Sequence, residues 1–294
     1  MGYGQTIPTG LVEADITASG GNVHYRQAGS GPDVVLLHGS GNGDGRDWFF
    51  SAFSRLAETH RVTAFDRPGI GQSALIDGAD DPRRQAAHLA AAAAALGLEQ
   101  PILVGHSYGG TVALAWALEA GDALRGLVLL APVAYELPPP DAIFKLLARP
   151  GFGPALAWVV CRFLSGPAMG EPLKKVFSPQ EVPPAYLEHA RSALLKNPAE
   201  VIANAREIMG LSAPVAAMAA QYGQIQVPVV ILQGDSDANV PHDSQAARLA
   251  QELPNATLEL IPGMGHMLHH FLRDDLMAAV ARLDQTGAPG KTDK

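Results

Sequence analysis

Ser107 lies in "PILVGHSYGGTVALAWAL" (101–118), where a run of branched apolar residues stops at a Gly-His-Ser-Tyr-Gly-Gly turn and an Ala-rich segment follows. Gly105-His106-Ser107-Tyr108-Gly109 fits G-x-S-x-G between a strand pattern and a helix pattern, the context that makes the motif a nucleophile elbow. The turn is tight, and side chains two positions away would collide with the strand and helix, hence the glycines. Such a turn pushes the hydroxyl out above the carboxyl edge of a sheet. The start of the following helix aims N–H groups and a positive dipole end at the same place. A serine hydroxyl is a weak nucleophile at neutral pH and requires a base to take its proton and an acid to hold that base. Two later segments offer them: "LQGDSDANVP" contains Asp235 and Asp237, and "IPGMGHMLHH" contains His266, His269 and His270. Together such groups attack a carbonyl carbon through a covalent intermediate.

The elements that must position these groups follow from the hydrophobic pattern. Residues 11–28 read as a hairpin turning at Gly20-Gly21. "DVVLLHG", "RVTAFD", "PILVGHS", "LRGLVLLAP", "VPVVILQGD" and "ATLELIP" are short, mostly unbroken apolar runs, suited to strands covered on both faces. Helical patterns at 3–4 spacing lie between most of them: 46–58, 83–97, 111–121, 243–253 and 272–285. Alternation of this kind predicts an α/β class chain with a doubly wound, mostly parallel, eight-stranded sheet. Residues 135–225 break the alternation with proline-punctuated helical pieces, which predicts a helical cap inserted after the sixth strand. The domain reading is therefore a core of 1–134 and 226–286, a cap of 135–225 and a disordered tail, 287–294. Phe144, Leu146, Leu147, Trp158, Phe163 and Leu164 are the cap's apolar candidates for a pocket lining, although packing within the cap is the plainer reading of most.

Composition narrows the function. The chain of 294 residues has a net charge of −8 and no basic cluster denser than "RR" or "KK", which argues against a nucleic-acid partner. The single cysteine, Cys161, rules out an internal disulfide framework or a thiolate-rich metal site. His269 and His270 follow His266 by three and four residues, but no neighbouring carboxylate or cysteine completes a metal set, so both read as packing or supporting residues. "GSGNGDG" lacks the Lys-Ser/Thr ending of a phosphate-binding loop. No cofactor and no metal are expected. "FGPALAWVVCRFL" is the one stretch that could touch a membrane surface, and it is short and carries Arg162. No run of about 18 apolar residues predicts a transmembrane helix. As written, the N-terminus shows no signal peptide, which implies a cytoplasmic chain unless an export signal or anchor precedes it. The sequence leaves the oligomeric state open.

Taken together, "LLHGSG", "FDRPGIGQS", "GHSYGG", "GDSDANVP" and "PGMGHM" make the chain resemble the α/β-hydrolase superfamily, in its serine esterase/lipase-like branch, over roughly 22–134 and 226–283. The resemblance implies the chain order nucleophile, acid, histidine. It prefers Asp237 over Asp235, because Gly234, Asp237, Val240 and Pro241 match the family's G-x-x-D-x-x-V-P, and it selects His266 after Gly263 and Gly265. It places oxyanion donors on the backbone N–H groups of Ser40 and Tyr108, with His38 and Gly39 shaping that loop and Asp66 and Arg67 fixing the next. Serine at 107 sets the chain apart from the dehalogenases and epoxide hydrolases of this fold, which use aspartate.

The implied activity is hydrolysis of carboxylic esters with short to medium acyl chains, the partner being a small-molecule ester. Three other activities share the machinery. "HGSGNGDG" is similar to a region of meta-cleavage-product hydrolases, which split C–C bonds and usually add an arginine for a carboxylate; Arg149, Arg162 and Arg191 are cap candidates that no motif places. Cofactor-free haloperoxidases or perhydrolases use the same triad. Proline iminopeptidases need cap carboxylates, for which Glu171 and Glu181 are available. A small-molecule receptor of the same fold is the non-enzymatic alternative.

Overall fold

The structure, a computed structural model, describes residues 5–41, 43–163, 170–194 and 197–286. Leu164 and the tail 287–294 lie outside the described residues, as do the side chains of Phe163 and Arg191.

Eight strands form one sheet in the order β1-β2-β4-β3-β5-β6-β7-β8. They are β1 (Val12–Ala18), β2 (Gly21–Ala28), β3 (Asp33–Leu37), β4 (Arg61–Phe65), β5 (Ile102–His106), β6 (Gly126–Leu130), β7 (Val229–Gly234) and β8 (Ala256–Ile261). β1 pairs antiparallel with β2, and β2 with β4, while every other pair is parallel. The unbroken apolar runs have their cause in the layers. Val35, Leu37, Leu103, Leu127, Leu129 and Ile231 face one core with α2 (Pro82–Ala95) and α3 (Tyr108–Ala120). The alternate residues Val34, Leu36, Ile102, Val104, Val128 and Leu232 face a second core with α1 (Phe53–Leu56) and α11 (Arg273–Thr286). A strand with period-2 side chains buried on both sides admits a polar residue only where it finds a hydrogen-bond partner, so its sequence is mostly apolar.

The chain leaves β3 toward β4 on one side and leaves β5 toward β6 on the other, although β3 and β5 are neighbours. Their carboxyl ends therefore flank a crevice, the topological switch point where open α/β sheets bind ligands.

Among the described residues six α-helices, a 3-10 turn at Tyr222–Gln224 and no strand separate β6 from β7: α4 (Ala142–Leu147), α5 (Gly153–Phe163), α6 (Gly170–Phe177), α7 (Pro184–Leu194), α8 (Pro198–Gly210) and α9 (Ser212–Ala219). Leu147, Ala157 and Ala205, from α4, α5 and α8, form a small core of their own, with Phe144 against it. Leu146 and Trp158 are exposed, at 41% and 60%, so neither lines a closed pocket. Gln245, from the segment that leads into α10 (Arg248–Glu252), accepts N–H bonds from Ala134 and Tyr135 at 2.9 Å each. The Tyr222 hydroxyl donates to the Ala134 carbonyl at 2.8 Å, so the two ends of the insertion meet at the sheet.

Local pattern misleads at 46–58. Instead of one helix there is a 3-10 turn, Gly45–Phe50, followed by the single turn of α1. Asp44 caps the 3-10 turn, accepting from the Arg46 N–H at 2.8 Å. Burial of Trp48, Phe49, Phe50 and Phe53 then overrides the helical spacing.

The first turn of α3 presses on the end of β3. A methyl on Gly109 would lie 2.1 Å from the Leu37 carbonyl oxygen and 2.6 Å from that of His38. Both obstacles are backbone, so Gly109→Ala should lose about 3 kcal/mol or more in urea denaturation. Gly170→Ala, where nothing lies within 4 Å, serves as the near-neutral control. A Gly109→Ala protein as stable as the control would contradict this packing.

Candidate active site

Ser107 sits between the last residue of β5 and the first of α3, with φ 51° and ψ −119°. A non-glycine residue in that region is strained, and such strain persists only where the surroundings over-determine it. They do so here. The Ser107 N–H donates to the Leu130 carbonyl at 2.9 Å, and its own carbonyl accepts from Gly110 at 2.9 Å. A methyl on Gly105 would come within 2.5 Å of the Gly109 carbonyl oxygen. The strand and helix thus touch across the serine, which faces the crevice between β3 and β5.

The loops after β7 and β8 are also in backbone contact. Ser236 N–H donates to the Met264 carbonyl at 3.0 Å, and a methyl on Gly234 would lie 2.0 Å from that same oxygen. This contact brings together residues far apart in sequence. His266 Nδ1 lies 2.8 Å from Asp237 Oδ2, and His266 Nε2 lies 3.1 Å from Ser107 Oγ. A proton on Nδ1, donated to the carboxylate, leaves the Nε2 lone pair facing the hydroxyl. Asp237 Oδ1 also accepts the N–H groups of Asn239 and Val240, both at 2.9 Å. Burial works to raise the Asp237 pKa, but the His266 hydrogen bond and charge and these two N–H donors hold it below the usual carboxylate value. Asp235 turns away: it is exposed and accepts from Ser236 Oγ and the Gly263 N–H, bracing the two loops.

Gly39 follows β3 beside the elbow, where a methyl would meet Ser107 Cβ at 3.4 Å. The N–H groups of Ser40 and Tyr108 therefore start from backbone on either side of the hydroxyl. Neither has a hydrogen-bond acceptor among the described residues. A substrate oxygen placed there would meet two free donors.

A buried histidine cluster underlies the hydrogen-bonded Ser107, His266 and Asp237, and sequence reasoning missed its acid. His269 Nε2 lies 2.8 Å from Asp47 Oδ2, and His270 Nε2 lies 3.2 Å from Asp47 Oδ1. The carboxylate absent from the local sequence arrives from the 3-10 turn. His106 Nε2 lies 3.0 Å from the His266 carbonyl oxygen, a bond that fixes the backbone at His266. No sequence signal marks either role. Asp47, His106 and His269 are also the one group among the described residues whose ligand-type atoms lie close enough to share an ion, within 4.8 Å of one another. Asp66 anchors the next loop, accepting from Arg26 Nη1 at 2.5 Å and from the Gly45 and Gln72 N–H groups.

Comparison with known proteins follows this geometry. The sequence model of a family described as the alpha/beta hydrolase family matches residues 34–283. A 2-hydroxy-6-oxo-6-phenylhexa-2,4-dienoate hydrolase of Comamonas testosteroni is 26% identical over 259 residues, 83% of this chain and 84% of that protein. A Synechocystis protein named for a non-heme chloroperoxidase activity is 28% identical over 272 residues, 84% of this chain and 89% of its own. Among solved structures, a thermophilic esterase of Thermogutta terrifontis superposes with a TM-score of 0.73 at 24% identity, covering 95% of this chain and 100% of that one. The epoxide hydrolase CorEH gives 0.73 at 21% identity, covering 93% and 99%.

Burial sets the acid sensitivity of the site. It pushes His38 down to about 3, His269 down to about 4 and His106 well below the usual 6.5. Unfolding returns each to the ordinary value, so below about pH 6.5 the unfolded chain takes up protons that the folded chain refuses. Their contribution is complete above that pH and is lost as pH falls toward 4. His189, lowered by burial as well, adds to them, while Glu200, which burial raises to about 7, and Asp66, which burial also raises, act oppositely, two carboxyls against four histidines. The melting temperature should therefore be lower at about pH 5 than at about pH 7.5; an equal or higher value at pH 5 would refute the buried neutral histidines.

Proposed function

Because the chain belongs to the alpha/beta hydrolase family, we propose that it is a cofactor-independent serine hydrolase that cleaves carboxylic esters of short to medium acyl chains. The observation that carries the reading is the continuous line of hydrogen bonds from Asp237 through His266 to Ser107, at 2.8 and 3.1 Å.

Ser107 Oγ attacks the ester carbonyl carbon while His266 Nε2 takes its proton. Asp237 holds the imidazole in the competent tautomer and stabilises the imidazolium that forms. The carbonyl oxygen becomes an oxyanion bound by the N–H groups of Ser40 and Tyr108. Collapse breaks the bond to the alkoxy group, which leaves as an alcohol with the proton from His266. Water, deprotonated by the same histidine, then attacks the acyl-enzyme, and the acid departs as Ser107 regains its proton. The oxyanion donors are backbone groups on packed turns, so they require no side-chain ordering as charge develops; each is worth about 3–4 kcal/mol in the transition state.

The Comamonas testosteroni relative favours a second reading, C–C cleavage of a dienoate. Such a substrate carries a carboxylate that calls for a cation. Among the described residues Arg149, Arg162 and Arg206 are exposed, and the buried Arg67 is committed to Glu207 and Gln85, which supports the ester reading.

Hydrolysis of p-nitrophenyl acetate, butyrate and octanoate tests the proposal. Ser107→Ala and Asp237→Asn should each lower kcat by about 10⁴-fold. Turnover that survives Ser107→Ala would remove the serine from its role. Cleavage of a 2-hydroxy-6-oxo-dienoate faster than of any ester would favour the second reading, and tight ligand binding without turnover would make the chain a receptor.

A further inference from the structure

Arg67 and Glu207 are a fully buried ion pair, 0% and 2% exposed, between the core and the cap. Arg67 follows β4, and Glu207 lies on α8. Nη1 donates to Glu207 Oε1 at 2.5 Å and Nη2 to Oε2 at 3.2 Å. The remaining three N–H groups of the guanidinium are also taken: Nε donates to the His38 carbonyl at 3.0 Å, Nη2 to the Gly39 carbonyl at 3.0 Å, and Nη1 to Gln85 Oε1 at 3.0 Å. A planar fork with five committed donors fixes the planes of what it binds. It has no donor left for a substrate.

What it binds is the back of the oxyanion site. The Gly39 carbonyl and the Ser40 N–H belong to one trans peptide and point in opposite directions. Holding that carbonyl toward Arg67 aims the Ser40 N–H away from it. His38 Nδ1 donates to the same carbonyl at 2.8 Å, and two donors on one carbonyl polarise the amide and strengthen its N–H as a donor. The second oxyanion residue meets the same cation, since the guanidinium carbon lies 4.6 Å from the centroid of the Tyr108 ring. Gln85 Nε2 reaches both Glu207 Oε1, at 2.7 Å, and the Tyr108 hydroxyl, at 3.4 Å.

The cap also grips the oxyanion loop directly. Ser40 Oγ lies 2.8 Å from Asn204 Oδ1 and 3.1 Å from Glu207 Oε2, and the Gly41 N–H donates to Asn204 Oδ1 at 2.9 Å. Asn204 and Glu207 are three apart on α8 and so share one helix face. A buried ion pair is weak evidence of stability, because desolvation offsets its attraction. Its geometric effect here is specific.

We propose that Glu207, supplied by the cap, is a positioning residue for the oxyanion site: through Arg67 it sets the plane of the Gly39–Ser40 peptide and seats Tyr108, so that the core's chemistry depends on an acid of the cap. The proposal rests on the ester-hydrolase reading above.

The test uses the full chain with p-nitrophenyl butyrate, a p-nitrophenyl phosphonate to count competent serines, and butylboronic acid as a mimic of the tetrahedral state. In Glu207→Gln, kcat per titrated serine should fall about 10- to 100-fold, less than complete loss of a donor, with KM within about threefold. Boronic acid affinity should fall in step with kcat/KM. Asn204→Ala and Ser40→Ala, which loosen only the direct grip, should show the same signature at about 3- to 10-fold and decide the matter if Glu207→Gln does not fold. A kcat per titrated serine within about twofold of the parent in all folded variants, or a loss confined to KM or to the number of titratable serines, overturns the positioning role while leaving the hydrolase reading intact. A parent chain that neither turns over an ester nor binds the boronic acid overturns both.

Discussion

The close approach of α3 to the carboxyl ends of β3 and β5 is the constraint on which the rest of the site depends. Gly109 lies against the Leu37 carbonyl and Gly105 against the Gly109 carbonyl, at separations no Cβ could occupy. That approach forces Ser107 to positive φ and lifts its hydroxyl over the sheet edge. It also sets the helix N-terminus and the loop after β3 on two sides of one point. The strain at a single serine is held by backbone packing on all sides, and it persists for that reason.

Around this point the charges are arranged in buried, hydrogen-bonded units. Asp237 is satisfied by His266 and two backbone donors, Asp66 by Arg26 and two more, and Arg67 by Glu207, Gln85 and two carbonyls. Isolated, each charge would be costly in the interior; bonded in this way, each holds a loop in one orientation. The histidines behave differently. His38, His106 and His269 are neutral by burial and act as oriented hydrogen-bonding plates that connect the elbow, the His266 backbone and Asp47.

The helices between β6 and β7 are continuous with this scheme. Their own small core of Leu147, Ala157 and Ala205 gives α4, α5 and α8 a fixed relation, and α8 then places Asn204 and Glu207 at the loop after β3. α8 thus braces the loop beside the elbow through these two side chains. The exposed apolar residues of these helices, Trp158 and Leu146 among them, take no part in that bracing.

Much of the fold was legible in the sequence because burial on both faces of a sheet leaves a mark that is local and repeated: five-residue apolar runs, helical spacing between them, a glycine-bounded serine at one strand end. The motifs also named Ser107, Asp237 and His266, since strand-end loops carry characteristic turn residues, and the structure brings the three within hydrogen-bonding reach. Where local pattern failed, at 46–58, packing of four aromatic side chains outweighed helical spacing. Only the tertiary structure decided that Asp47 meets His269 across 222 positions and that Glu207 meets Arg67 across 140. Such pairs depend on where separate elements come to rest against one another, and a contact made once, between single side chains on distant segments, imposes no period and no motif on the chain.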